Sequence, residues 1–223
     1  MSNDLAGAAL ERLPIFPLPQ AHLFPGVLMP LHVFEPRYRQ MVRDLVAGVT
    51  GPAPLLAIAE LKPGYESDYE GRPPVHPVCG LGRMVWHQAL PDGRFNILMR
   101  GEARVRIERE HPPDRPYRLV RASLREDEAP SRPIEVDATS ARTLVARIAP
   151  HLPEQGKPLL DMLADITAPA LLCDVLAGTV IRDPALRREL LEEPDPALRI
   201  TRVEAELAAL GHALDDQAGA AAN

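Results

Sequence analysis

Two lysines, seven histidines and two cysteines are the side chains here with most chemistry to offer, and their spacing assigns them none. A phosphate-binding loop needs Gly-x-x-x-x-Gly-Lys-Ser/Thr, because backbone amides cradle the phosphates and the hydroxyl holds magnesium. Gly156-Lys157 is followed by Pro158, and the position five before Gly156 is His151. The first glycine, the hydroxyl and one backbone donor are missing. A serine–lysine dyad needs a lysine in an apolar pocket that lowers its pKa. Lys62 and Lys157 each precede a proline in segments that read as loops. Ser67, near Lys62, lies in the acidic run Tyr65-Glu66-Ser67-Asp68-Tyr69, a setting that raises a lysine pKa. No Gly-x-Ser-x-Gly elbow occurs. His22, His32, His76, His87, His111, His151 and His212 are scattered, with no His-Glu-x-x-His and no cysteine pair to build a metal site. His76 and Cys79 have Pro77 between them and no second pair. His32 reads as a structural residue bonded to backbone. Gly80-Leu81-Gly82 lacks the third glycine and the helix of a dinucleotide fingerprint. The expectation is a chain that is not an enzyme and takes no cofactor and no metal.

The bulk composition narrows the ligand. With 46% apolar and 25% charged residues over 223 positions, the chain can bury a real core as one large or two small domains. Aromatics at 4% leave few platforms for stacking bases or sugars, and a net charge of −6 disfavours a general polyanion binder. The best basic patch would be Arg100, Arg104, Arg106, Arg109, Arg118, Arg121 and Arg125. Glu102, Glu108, Glu110 and Asp114 are interspersed, so a mixed solvated face is the simpler reading and nucleic acid an unlikely partner. Cys79 and Cys173, far apart, suit two buried thiols in a reducing compartment. No apolar run nears the roughly 20 residues of a membrane helix, and no basic-then-apolar leader opens the chain. The cytoplasm is the expected setting.

The elements that would position a site fall into two groups. Residues 1–11 and 215–223 are expected to be disordered. From 12 to 128 the signal is mostly β. Pro54–Leu61 and Val78–Leu90 are apolar runs, the second broken by Gly80 and Gly82, which suggests a bulge. Pro91-Asp92-Gly93 is a turn. Phe95, Ile97 and Met99, then Ala103, Val105 and Ile107, alternate with more polar neighbours at period two. Tyr117–Leu124 is a further strand. Short strands with proline at the joints predict a closed or nearly closed barrel. One helix is embedded, from Pro36 to Gly48, with the stripe Tyr38, Met41, Val42, Leu45 and Val46. A linker is expected at 127–133, then a helical bundle over 133–214. Its predicted helices end at Pro150, centre on Leu159–Leu163, run between Pro169 and Pro184, and follow Pro196. The last carries Ile200, Val203, Leu207, Leu210 and Leu214 at three-four spacing, a packing seam.

Three stretches carry a family resemblance. Leu13-Pro14-Ile15-Phe16-Pro17-Leu18, Leu23-Phe24-Pro25-Gly26 and Pro30-Leu31-His32-Val33-Phe34-Glu35-Pro36-Arg37-Tyr38 resemble the opening of the substrate-binding N-terminal domain of the ATP-dependent Lon protease. Asp92–Leu98 and Gly101–Ile107 are similar to that family's hairpin and glycine-led strand, and Leu190-Leu191-Glu192 with Arg199 to its helical half. The likeness covers roughly residues 12–212 and ends where Lon's coiled segment and ATPase would begin, so a stand-alone domain is expected. It implies an α+β fold: a PUA-like β-barrel with one embedded helix, then a C-terminal α-helical bundle. It also implies recognition of exposed segments of damaged or tagged substrates in protein quality control, without catalysis.

The expected partner is therefore an unfolded or flexible polypeptide segment. Such a partner needs an exposed apolar groove, or an open sheet edge, beside mobile polar loops. The expected lining is Tyr65 and Tyr69 from the 62–75 loop and Met84, Trp86 and Phe95 from the 84–95 hairpin, with Trp86 foremost. Two alternatives stay open: an adaptor that docks onto a protease or onto itself through the Ile200–Leu214 seam, and a nucleic-acid binder using the PUA-like barrel.

Overall fold

Proline and glycine set the joints of the first unit. A computed structural model describes residues 8–152, 154 and 156–221; the disorder expected at residues 1–7 and 222–223 lies outside them. The chain divides into two units, Met1–Glu126 and Asp127–Asn223. The first holds a helical turn, α1 (Ala8–Glu11), and strands β1 (Leu13–Leu18) and β2 (Leu28–Val33). Helix α2 (Pro36–Val46) follows, then β3 (Leu55–Glu60), β4 (Val78–Ala89), β5 (Phe95–Glu110) and β6 (Arg118–Leu124). Residues 8–11, expected to fray, are thus helical, and Leu10 at their end is buried among β-strand side chains.

The sheet is mixed, in the order β2-β5-β4-β3-β1-β6, and β6 also pairs with β5. The pairings therefore run from β1 through β3, β4, β5 and β6 back to β1, with β2 alone outside this circuit. β1 and β3 are parallel; the other pairs are antiparallel. The alternation at 95–99 and at 103–107 belongs to one long strand, not two. Register shifts in β4 at Leu81/Gly82 and at Met84/Trp86 absorb its twist. The chain from Leu23 to Pro25 crosses the sheet so closely that only glycine fits beneath it. A Cβ on Gly80 would lie 1.9 Å from the Leu23 carbonyl oxygen, and one on Gly101 1.9 Å from that of Phe24.

Helix α2 starts on Pro36, where a missing N–H costs nothing, and stops at Gly48, whose φ is +70°. Its Tyr38, Met41, Val42 and Leu45 enter the core with Phe16, Val33, Met84, Phe95, Ile97 and Met99. Val46, expected in the same stripe, is half exposed. Eight residues on from Tyr38 it has rotated about 80° around the helix, off the buried face.

The second unit is helical: α3 (Glu135–Ile148), α4 (Gly156–Ala164), α5 (Pro169–Thr179), α6 (Pro184–Glu192) and α7 (Pro196–Ala221). Proline opens α5, α6 and α7. The Asp183 carboxylate caps α6 by accepting from the Ala185 amide at 3.0 Å, and Asp195 accepts from that of Ala197 at 2.8 Å. Ile200, Val203 and Leu207 of α7 are fully buried, and α7 packs on α3 and α5, whereas Leu210 and Leu214 of the same seam are partly exposed. Helix α7 continues to Ala221, into the stretch from 215 for which disorder is expected. Asp127, in the segment expected as a linker, accepts from the buried Arg199 through both carboxylate oxygens at 2.7 Å. Asp174 lies 3.4 Å from the same guanidinium. Burial works against the Arg199 charge, but Asp127 and Asp174 outweigh it and hold its pKa above the ordinary arginine value. Among the described residues no helix is long and apolar enough to cross a membrane.

Candidate functional site

The register of β2, β5 and β4 builds one exposed surface. Antiparallel partners directly opposite share a face. Pro30 pairs with Leu98, and Leu98 with Trp86, so these three form a row across three strands. Leu28, opposite Arg100, and His32, opposite Asn96, flank that row on the same side of β2. Phe34 follows just beyond the strand. The inward neighbours Val33, Phe95, Ile97 and Met99 are buried, so the row points outward. Leu28 is 55%, Phe34 59% and Trp86 51% exposed, values seen for few side chains of this size elsewhere in the chain. The shift at Met84/Trp86 brings Val85 into the open as well.

The surface also has an open edge. Strand β2 has β5 as its only sheet partner among the described residues. The Gly101 amide donates to the Val27 carbonyl at 2.8 Å, which makes Leu28 and Arg100 a non-hydrogen-bonded pair. Alternation then turns the backbone groups of Leu28, Pro30 and His32 away from β5. Pro30 thus has its missing N–H on the free side, the placement an edge strand tolerates.

Arginines stand at both ends of this face. Near Leu28, Glu102 is shared between Arg83 at 3.3 Å and Arg100 at 2.8 Å. Near Val33, Asp92 bonds Arg94 at 2.6 Å, and its carboxyl is held down to about 2 chiefly by that guanidinium, with Arg39 adding a smaller pull. Each end has two guanidiniums for one carboxylate. His32, expected to bond backbone, bonds side chains instead: its Nδ1 donates to Asn96 Oδ1 at 2.7 Å, and its Nε2 faces Arg94 at 3.3 Å. The β2–β5 register sets His32 directly opposite Asn96 on the outward face, hence the difference.

The five lining residues expected from sequence separate. Trp86 is on the face. Met84 and Phe95, 7% and 8% exposed, are core residues, because the register turns them inward with Met99 and Val33. Tyr65 and Tyr69 lie half-buried in the 62–75 loop, their rings 6.2 Å apart. Contacts tie that loop to the segment that opens α2. Tyr69 donates to Glu35 at 2.7 Å, and Arg37 donates to the Tyr69 carbonyl at 3.1 Å while lying over the Tyr38 and Tyr69 rings. Burial pushes the Tyr38 phenol up to about 12, against the pull of Arg37. Sequence reading missed Leu28, Pro30, Phe34 and Leu98. Leu28–Phe34 is apolar at nearly every position, so period two could not tell its faces apart.

The remaining chemistry is structural. Arg118 is buried, bonding both oxygens of Glu110 at 2.8 Å, and Arg104 is 4% exposed, so the arginine set splits between core and surface. Ser67 donates to the Gly64 carbonyl at 3.2 Å. Lys157 lies in the first turn of α4, not in a loop, and is exposed. Among the described residues no three His, Cys, Asp or Glu side chains come together in a way that could hold a metal ion.

Comparisons with known proteins agree on one likeness. The family model of the ATP-dependent protease La (LON) substrate-binding domain matches residues 12–209. A Lon protease of Desulfosudis oleivorans is 24% identical over 210 residues, covering 92% of this chain and 25% of that protein. One of Trichlorobacter lovleyi is 29% identical over 203 residues, covering 89% and 24%. The chain thus spans about a quarter of the length of these curated relatives. Among solved structures, the N-terminal domain of Mycobacterium avium complex Lon protease superposes with a TM-score of 0.69 at 17% identity, over 89% of this chain and 98% of that one. A Lon N-terminal domain protein from Xanthomonas campestris gives 0.60 at 23%, over 87% and 97%.

Proposed function

The chain belongs to the family of the Lon substrate-binding domain, and from that premise we propose that it is a non-catalytic module that holds unfolded or flexible polypeptide segments. The observation that carries this reading is the outward row Pro30, Leu98 and Trp86, with Leu28 and Phe34 beside it, on a three-stranded face. Contiguous exposed apolar side chains of this size mark interaction sites. Trp86 is the anchor of the surface, since an indole gives much apolar contact at small cost in side-chain freedom. The closed circuit of strand pairings, with α2 packed into its core, is what supports reading the sheet as the PUA-like barrel of this family. Work in cytoplasmic protein quality control beside a protease partner belongs to the same proposal.

The test uses the chain's single tryptophan. A permanently unfolded, fully alkylated polypeptide titrated into the protein should change Trp86 emission saturably, and binding should persist at high salt. Trp86→Ala should weaken binding, followed by anisotropy of the labelled polypeptide, by roughly tenfold or more, as truncating a central aromatic does. Undiminished binding by that variant, or none by the unaltered protein, would refute the assignment.

A further inference from the structure

Resting on that reading, we infer that the occupant is an extended segment that adds to β2 as a further strand, its apolar stretch of about six residues flanked at both ends by acidic side chains. Three observations converge. First, the outward backbone groups of β2 are unpaired by any sheet strand among the described residues, and the β2–β5 register runs from Leu28 to Val33 without a shift. Regular spacing is what an incoming strand needs, since its groups meet the edge at every second residue; Leu28 and His32 turn both N–H and C=O outward and Pro30 its C=O alone.

Second, the side chains that such a strand would lie beside are apolar: Leu28, Pro30 and Phe34 on β2, with Leu98 and Trp86 beyond them. Six strand residues span about 20 Å, which sets the apolar length of the guest. Beyond Arg83, strand β4 also lacks its β3 partner. There, however, the bulge at Val85 interrupts the spacing, and the positions that follow are His87, Gln88 and Ala89. The β2 edge is therefore the better template.

Third, the charge is asymmetric. In a chain of net charge −6, both ends of this face carry a guanidinium surplus: Arg83 and Arg100 around Glu102, Arg94 and Arg39 around Asp92. A guest with Asp or Glu just outside its apolar run would supply the carboxylate that each end lacks. A guest with lysines there would meet like charge.

The experiment uses the full chain and synthetic peptides with an alternating Val/Phe core, ending either in Glu-Asp or in Lys-Lys. N-methylating alternate backbone nitrogens of the acidic peptide gives two further probes, one of each parity. An added strand bonds through one edge only. One parity should therefore lose about tenfold in affinity, the effect of two or three lost backbone bonds, and the other stay within about twofold. The acidic peptide should bind about tenfold tighter than the lysine one at low salt, and the gap should close as salt rises. His32→Pro, which removes an outward donor from β2 and no ladder bond, should reproduce the loss; His87→Pro, the corresponding change on the β4 edge, should not. Binding that Trp86→Ala abolishes but that is equally sensitive to both parities, or indifferent to peptide charge, overturns the added strand and leaves the recognition reading standing. No binding by any peptide overturns both. Sedimentation of the protein alone as a dimer that peptide fails to dissociate would give β2 to a second copy and overturn the inference too.

Discussion

The sheet unit and the helical unit differ in how they arrange the apolar groups they leave exposed. Over 8–126 large apolar groups are left bare on one side of β2, β5 and β4, outside a core of aliphatic and aromatic side chains that also buries His22, Asp44, Arg104 and Arg118. Over 127–221 a guanidinium is fully sunk between two aspartates, while the exposed apolar residues Val136, Leu160, Met162 and Leu198 are spread over three helices. A buried ion pair is a poor source of net stability, but it fixes one arrangement, because removing either partner strands the other. A bare apolar face contributes nothing to the fold holding it. The first feature reads as construction and the second as use.

The largest expected effect tests the construction side. Arg199→Ala strands Asp174 in the helical core and should lower stability by about 3–5 kcal/mol, read as an earlier far-UV circular dichroism transition. Trp86 emission, which reports the sheet unit, should keep its midpoint; a shift of equal size would break the contrast. Next, Gly101→Ala pushes a methyl against the Phe24 carbonyl. It should cost about 1–3 kcal/mol, read this time by Trp86 in denaturant.

A third effect comes from pH. All four tyrosines lie in the sheet unit. Burial raises Tyr38 to about 12, and burial with the Asp44 hydrogen bond raises Tyr117. A phenol whose folded pKa is raised gives stability that is complete below its ordinary value near 10 and is lost as pH climbs through the folded one. For Tyr38 the loss should reach about 1.4 kcal/mol by about pH 11, and the Trp86 transition should fall ahead of the helical one. Smallest is Trp86→Ala, which should change stability by under about 0.5 kcal/mol by circular dichroism, as for a surface side chain, while weakening polypeptide binding by roughly tenfold or more. A larger destabilisation would return Trp86 to the core and erase the distinction.

Much of the frame could be read from sequence, because the prolines and glycines that delimit it act locally. Pro36 and Gly48 bracket α2, and Pro169 and Pro196 open helices where expected. Helix α6 was legible only through its Leu190-Leu191-Glu192 likeness, since its apolar positions are too few to show a period. The candidate surface was less legible. Its Trp86 stood out as the lone indole, but Met84 was misplaced because the bulge at Met84/Trp86 puts it on the opposite face from Trp86, and Phe95 because it shares the inward face of β5 with Ile97 and Met99. The Arg37–Glu35–Tyr69 clamp joins residues more than thirty positions apart, and no local pattern announces such a contact.

Pro30 has a consequence for the protein's behaviour in a crowded cell. A long bare strand invites fibril growth, because identical molecules can zip together along matching margins. Here the margin is interrupted at its centre, so two copies meeting there would each bring the same gap. A single imino acid therefore works against zipping between like molecules along β2, while the backbone groups of Leu28 and His32 still point outward.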